Sequence, residues 1–418
     1  MAEAFGCLFE ALILPVNILF VSHAANRSGA PLVLLELLRY LRRETSHRAT
    51  VLCLRDGPLL EEFGRVAELF GPSSPLVRAS LLGAAQRRLH SFGNQPALRL
   101  DPVLEALERL NFRHARGKTR GLERNFDLVY LNSVASGDIL PGLEPILRTA
   151  PLICHVHEMK WAIDKLKTAF DLVKTRADGF IAASDATKTH LEGRGIAAAG
   201  IEVVHEFVDF AALETDRERA RIELRGKLRL PGGAFLVGGC GTMEWRKGAD
   251  WWVQLAALVP GAHFVWLGGQ RNEFSRQIEF DLAHLKVQKR VHFLPATVAP
   301  APFFAGLDVF ALTSREDPFP LVGIEAAAQG VPILCFQGAG GMSELVQRDA
   351  GFVAPYGDLA AMAREIARWQ FDEAMRLELG RVAAVRARQM CDVGVGAARI
   401  VARLERAVGR GARASREA

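Results

Sequence analysis

The chain alternates short, continuous apolar runs with longer amphipathic ones. The short runs are VNILFVS (16–22), TVLCL (50–54), DLVYLNS (127–133), PLICHVHE (151–158) and GFIAAS (179–184), followed by AFLVGGC (234–240), HFVWLGG (263–269), RVHFLP (290–295), DVFALTS (308–314) and VPILCF (331–336). Runs of this length without polar alternation predict strands buried on both faces, as in a parallel sheet covered by helices. Helical spacing falls between them, over 31–43, 249–258, 321–329 and 359–369. Strand–helix alternation of this kind predicts an α/β fold with crossover connections.

The alternation stops across 210–231, a highly charged segment with no strand pattern. A domain boundary near Val208 therefore divides two doubly wound, Rossmann-like domains, 1–208 and 209–395. Residues 396–418 are expected to form a C-terminal helix packing back on the first domain, ending in a disordered tail, GRGARASREA. Doubly wound domains bind ligands at the carboxyl ends of their strands, so a central cleft between the two is the expected binding place.

Composition changes this picture little. With 418 residues, 50% hydrophobic and 24% charged, the chain can bury a sizeable core. The net charge of +5 does not call for a nucleic-acid partner, but it suits an anionic ligand or membrane surface. Six scattered cysteines without a CxxC pair read as buried thiols in a reducing cytoplasm. The N-terminus lacks a basic start and is a poor signal peptide, and no apolar run is long enough to span a bilayer. One stretch stands apart: 86–124 is dense in Arg and His, with leucines at helical spacing. It reads equally as a solvated helical face or as a docking segment for anionic lipid heads.

The candidate chemistry lies in SREDPFPLVGIEAAAQG, where a strand gives way to a helix. Backbone amides at Phe319, Leu321 and Val322 lie at that helix start and could hold an anion. Glu325 sits in an otherwise apolar helix; it is either a solvated position or an acceptor for a diol. Asp317 is either an N-cap-type residue or an acceptor for sugar hydroxyls, and Glu316 stands beside it. After the strand at 234–240, Gly239 and Gly241 allow a tight turn, and Arg246 and Lys247 place cations fit for a diphosphate there. The segment is not a Walker loop, and it lacks the third glycine of a dinucleotide fingerprint. In the first half, Ser28-Gly29-Ala30 precedes a helix with Pro31 in its first turn. Gly29 there is either a plain turn or a point of close backbone approach to a ligand. ICHVHE ends a strand with His155 and His157 on one side of it, and Glu158 next.

These stretches, with FVWLGG, VHFLP and GAGGMSELV, resemble the GT-B-fold glycosyltransferases, specifically the retaining family 4 enzymes, along nearly the whole chain. That resemblance implies two Rossmann-like domains facing a cleft, the first on the acceptor side and the second holding a nucleotide-diphosphate sugar. It matches an acidic pair separated by seven residues to Asp317 and Glu325, with Asp where Glu is more usual. It implies that Glu325 binds the donor ribose, Asp317 touches the transferred sugar and Lys247 binds phosphate. Phe319 and Leu321 would join the donor site through their amides. The family's arginine-bearing triplet is here Gly241-Thr242-Met243, so Arg246 is the candidate replacement. The resemblance also maps an active-site His–acid pair to His157-Glu158, brings Gly29 near the donor, and adds Glu344 and Glu316 as further candidates. No DxD triplet occurs, in keeping with a metal-independent transferase needing no cofactor beyond its donor. By analogy the acceptor is a glycan or lipid-linked saccharide of bacterial surface polysaccharide assembly, at the inner membrane face. Two other readings share the fold or the site: a sugar-nucleotide epimerase and a non-catalytic nucleotide-sugar-binding subunit.

Overall fold

The computed structural model describes residues 15–72, 125–269 and 272–417, with side chains as far as Gly409. The basic stretch 86–124 and the N-terminal segment read as a poor signal peptide lie outside the described residues. Thirteen strands lie among the described residues. They are β1 (Asn17–Ser22), β2 (Arg48–Cys53), β3 (Glu68–Phe70), β4 (Leu128–Asn132), β5 (Leu152–Val156), β6 (Gly179–Ala182) and β7 (Ile201–Val203), then β8 (Leu236–Cys240), β9 (His263–Leu267), β10 (Val291–Leu294), β11 (Val309–Ala311), β12 (Ile333–Phe336) and β13 (Gly351–Ala354). They form two sheets, a seven-stranded one in the order β3-β2-β1-β4-β5-β6-β7 and a six-stranded one in the order β10-β9-β8-β11-β12-β13. The pairings recorded between neighbouring strands are parallel. The fold is α/β with two Rossmann-like parallel sheets, as the apolar runs predict.

Both-sided burial is visible residue by residue in the second sheet. Val237, Phe264, Val309 and Leu334 enter a core with Trp252, Trp266 and Trp369. Their neighbours Leu236, Val265, Phe310 and Ile333 enter another with Phe304, Ile324 and Leu345. Successive residues of a strand point to opposite faces, so each face has its own helix layer.

Strand order reverses between β1 and β4 in the first sheet and between β8 and β11 in the second. Connections leave in opposite directions at such a switch point, so the loops after the two flanking strands open a crevice there. The Gly29 loop follows β1, and Asn132 at the end of β4 donates from Nδ2 to Ala30 O at 2.9 Å. In the second sheet the loops concerned are 241–248, after β8, and 312–320, after β11.

By compactness the chain divides into one unit of Met1–His155, Lys167–Gly179 and Val401–Ala418, and a second of Val156–Leu166 and Phe180–Ile400. Within the first, His47 Nε2 meets Glu405 Oε1 at 3.0 Å. The last helix, Val393–Glu417, runs on through the segment expected to be disordered. The alanines and arginines of that segment are good helix formers, which offsets its two glycines, Gly409 and Gly411.

The charged segment 210–231 is a helix, Arg217–Lys227, capped by Asp216 accepting from Arg219 N. Its charge has an interior use. Arg225 is buried and donates to Asp308 Oδ2 at 2.7 Å and to the carbonyls of Ala234 and Gly306. Asp308 also accepts from Leu236 N, which ties the start of β8 to the residue before β11. A buried pair with its remaining donors satisfied keeps these two switch-point strands in register.

Candidate functional site

The site is built on the carboxyl ends of β8 and β11. After Cys240 the chain turns through Gly241, and Met243 goes into the core. A short 3-10 turn, Trp245–Lys247, then leads into the helix Ala249–Leu258. Gly248 between them is left-handed, with φ 67°, and a Cβ there would run into Thr313 O. Only glycine lets the first loop lie this close to the second. Gly239, expected to serve the turn, instead leaves room for the Trp252 and Trp266 rings.

The close approach brings charges together. Lys247 Nζ donates to Asp317 Oδ2 at 2.6 Å, its stem passing against Gly241. Arg246 Nη1 donates to Glu316 O at 2.9 Å and to Asp317 Oδ1 at 3.3 Å, and its Nη2 to Glu244 Oε1. The Ser314 hydroxyl donates to Asp317 Oδ2 at 3.1 Å. Burial works against ionising Asp317, yet Lys247, Arg246 and Ser314 together hold its carboxyl below the usual range. Asp317 is not a helix cap: the cap position is Pro320, and the Asp317 amide goes to Ala339 O. In the triplet Gly241-Thr242-Met243, Thr242 stands where the family carries arginine and Met243 is a core residue; the guanidinium at the site belongs to Arg246.

The helix Leu321–Ala328 has no side-chain cap. Among the described residues, no backbone acceptor takes the amides of Phe319, Leu321 or Val322. Glu325, one turn in, is half-buried, and desolvation pushes its carboxyl up to about 7. It is therefore not the freely solvated position that one reading of the sequence allowed. The Cys240 thiol, pushed up to about 12 chiefly by burial, is raised further by Glu325 and lowered by Lys247. Both charges thus reach the end of β8. Lys247, Arg246, Asp317 and Glu325 share one neighbourhood beside three open amides, an arrangement able to hold phosphate at one end and a diol at the other.

His157 follows β5, and its Nδ1 meets Glu206 Oε1 at 2.5 Å with both side chains nearly buried. Glu158 does not take the ring; its Oε2 accepts from the His157 backbone amide at 3.0 Å. His155 is a core residue, with Nδ1 2.6 Å from the Tyr130 hydroxyl. Glu316 accepts from Trp161 N with both carboxylate oxygens, capping the helix Lys160–Lys165. Glu344 caps another helix, accepting from Asp185 N and Ala186 N, and meets His205 Nε2 at 2.8 Å. Gly29 opens the helix Gly29–Glu44 after Ser28, in the first unit.

Two family models match the chain. One, described as Glycosyltransferase Family 4, covers residues 27–212; the other, Glycosyl transferases group 1, covers residues 234–371. The chain belongs to this glycosyltransferase family. It is 30% identical over 156 residues to the lipopolysaccharide core biosynthesis glycosyltransferase LpsE of Rhizobium meliloti, covering 37% of this chain and 45% of that protein. It is 29% identical over 231 residues to the D-inositol 3-phosphate glycosyltransferase of Salinispora tropica, covering 51% of this chain and 46% of that one. The matches thus span about half the length of these curated relatives. Among solved structures, Anabaena Alr3699/HepE in complex with UDP and glucose superposes with a TM-score of 0.73, at 23% identity over 93% of this chain and 98% of that one. Sucrose-phosphate synthase from Thermosynechococcus elongatus superposes with a TM-score of 0.72, at 18% identity over 92% and 97%. Both are likenesses of fold, and they place this chain among GT-B structures.

Within that family fold, two features of the site escape a reading of the sequence. Arg315 is held bidentately by Asp250 at 2.8 and 2.7 Å, with its guanidinium 3.9 Å from the Trp251 ring centre and 4.8 Å from that of Trp245. This clamp fixes the second loop to the start of the helix Ala249–Leu258. The clue was only Asp-Trp-Trp after Lys247-Gly248-Ala249, with Arg before Glu-Asp. Glu206, in HEFVDF, lies 49 positions from His157 and gave no local signal at all.

Proposed function

We propose that the protein is a retaining glycosyltransferase that moves a sugar from a nucleotide-diphosphate sugar to a glycan or lipid-linked acceptor in bacterial surface polysaccharide synthesis. The observation that carries this reading is the convergence of Lys247, Arg246 and Asp317 at the β8/β11 switch point, with Glu325 at hand on the next helix. Relatives named for lipopolysaccharide core and O-antigen biosynthesis, and a structural neighbour solved with UDP and glucose, support the substrate classes.

In this reading the diphosphate lies between Lys247, Arg246 and the amides of Phe319, Leu321 and Val322. Asp317 orients the transferred sugar, and Glu325 accepts from the ribose hydroxyls. The bond from the sugar's anomeric carbon to the diphosphate breaks, and a bond to the acceptor oxygen forms on the same face. The acceptor proton passes to the departing phosphate oxygen, so no enzyme nucleophile is needed. Positive charge held in place around the leaving group lowers the barrier as negative charge develops there. The described residues hold no helix long and apolar enough to cross a membrane, so the proposed contact with an anionic membrane surface is peripheral.

A thermal-shift panel of UDP, GDP, ADP and their sugars tests this. A ligand present at 100 times its dissociation constant stabilises by about 2.7 kcal/mol, a rise in Tm of several degrees. One base is expected to give such a rise, with release of that nucleoside diphosphate from its sugar when a suitable acceptor is added. No shift with any member of the panel overturns the reading.

A further inference from the structure

We propose that Trp161 and Trp245 form a platform on which a saccharide ring of the acceptor stacks, beside the carboxylate that orients the transferred sugar. This rests on the functional reading above, in which Asp317 stands at that sugar. The two indoles come from different strand ends. Trp161 lies in the helix Lys160–Lys165 after β5, and Trp245 in the loop after β8. Their ring centres are 6.4 Å apart and their planes differ by 27°, an offset stack. Both join the site through immediate neighbours of its charged groups. Trp245 precedes Arg246 and Lys247, and the Trp161 amide is held by Glu316, next to Asp317. Arg246 completes the connection, donating to Glu316 O and Asp317 Oδ1.

Two observations separate this pair from ordinary packing. Trp245 is 48% exposed, whereas Trp252, Trp266 and Trp369 are core residues. Indole surface left open beside a polar site is suited to a ligand that is apolar on its faces and polar at its rim. The second observation is that the rings are not what fastens the loops. Arg315 donates from Nη1 to Trp245 O at 2.7 Å and from its amide to Arg246 O at 2.8 Å, and Glu316 takes the Trp161 amide with both oxygens. These bonds reach backbone atoms, so they remain whichever side chain stands at 161 or 245. The face of an indole is negative and meets the slightly positive C–H groups of a pyranose, whose hydroxyls point outwards. Two cations already lie on these rings, Arg315 at 4.8 Å from the Trp245 centre and Lys165 Nζ at 3.4 Å from that of Trp161. Arg315 is fixed by Asp250 and keeps its place. Lys165 is exposed, so its ammonium yields to a ligand at little cost and can then donate to a ring hydroxyl. The nucleoside is engaged at Glu325 in the functional reading, which leaves the platform to the acceptor.

The test compares acceptor and donor kinetics. The probes are the octyl β-glycosides of glucose, galactose, mannose and N-acetylglucosamine, each offered with the nucleotide sugar that gives the thermal shift. The wild type is expected to glycosylate at least one of them, read as product mass and released nucleoside diphosphate. Trp245→Ala and Trp161→Ala are each expected to raise the KM for that glycoside about 10- to 100-fold, with the donor KM and the nucleotide thermal shift unchanged. Trp245→Phe keeps a stacking face and is expected to recover most of the loss. A loop merely loosened by the substitution would weaken the donor instead, because Arg246 and Lys247 follow Trp245 directly. An unchanged acceptor KM in either alanine variant, or acceptor and donor KM rising together, overturns the inference. So does a wild type that binds the nucleotide but takes none of the glycosides. Absence of nucleotide binding by the wild type overturns the functional reading, and the platform with it.

Discussion

Replacing Lys247 with Met lowers the rate of sugar transfer about 100- to 1000-fold and removes most of the thermal shift given by the nucleoside diphosphate. The size follows from where the charge sits. Removing one preorganised group that stabilises developing charge typically costs about that much in kcat. Lys247 is the closer of two cations on Asp317, 2.6 Å against 3.3 Å for Arg246. The second cation already divides its donors among Glu316 O, Asp317 and Glu244, so it is poorly placed to take over. Lys247→Arg keeps the charge but needs room for a fork where a slim stem passes Gly241, and it is expected to recover only part of the rate.

The same substitution has a stability signature that needs no substrate. Asp317 titrates below its ordinary 3.8 in the fold, so its ion pairs contribute stability above that pH and lose it as pH falls through the lowered value. Met at 247 removes the strongest of the attractions that outweigh burial. The variant is therefore less stable than the wild type at neutral pH, and the gap narrows as the pH falls through the lowered value of Asp317. Unfolding curves at pH 7 and pH 3 check the sign. Wild-type turnover in Lys247→Met would place the diphosphate elsewhere.

How much of this could be read from the sequence depends on how local each signal was. The central strands β1, β4, β5, β8, β9 and β12 are buried on both sides, so their residues must be apolar without interruption, and the runs betray them. The strands missed, β3, β7 and β13, are sheet edges of three or four residues. An edge strand is covered less, so Glu68 and Glu202 are tolerated and the pattern fails. The helix Arg217–Lys227 was hidden because its buried face uses Arg225 paired with Asp308 in place of an apolar residue. At the site, Arg246, Lys247, Asp317 and Glu325 were legible as unusual residues at strand ends. Their mutual distances were not, since these depend on the left-handed Gly248 and the Arg315 clamp. The acid beside His157 in sequence, Glu158, turned to the backbone, while the acid beside it in space came from another loop.

Glu325→Gln is expected to weaken nucleoside diphosphate binding about 10- to 100-fold while making the unliganded protein more stable above pH 7. The first effect follows because hydrogen bonds from a diol to a carboxylate are worth about 1.5–3 kcal/mol, and a neutral amide accepts them less well. The second follows from linkage. The carboxyl titrates near 4.5 when unfolded and at about 7 in the fold, because burial disfavours its charge. Between those values the folded state holds a proton that the unfolded state gives up, so wild-type stability falls as pH rises from 4.5 to 7 and is flat above. Glutamine has no such dependence. At about 1.4 kcal/mol per unit the full penalty is at most about 3 kcal/mol, and partial access of water reduces it to about 1–2 kcal/mol. The variant's Tm should therefore exceed the wild type's by about 2–5 °C at pH 8 and match it at pH 4. A residue kept for packing would show the opposite: truncating or neutralising it would cost stability and spare binding. Opposed signs for stability and affinity are what a site that holds strain for its ligand gives, and a Glu325→Gln variant that binds the nucleotide as tightly as the wild type would remove Glu325 from the donor site.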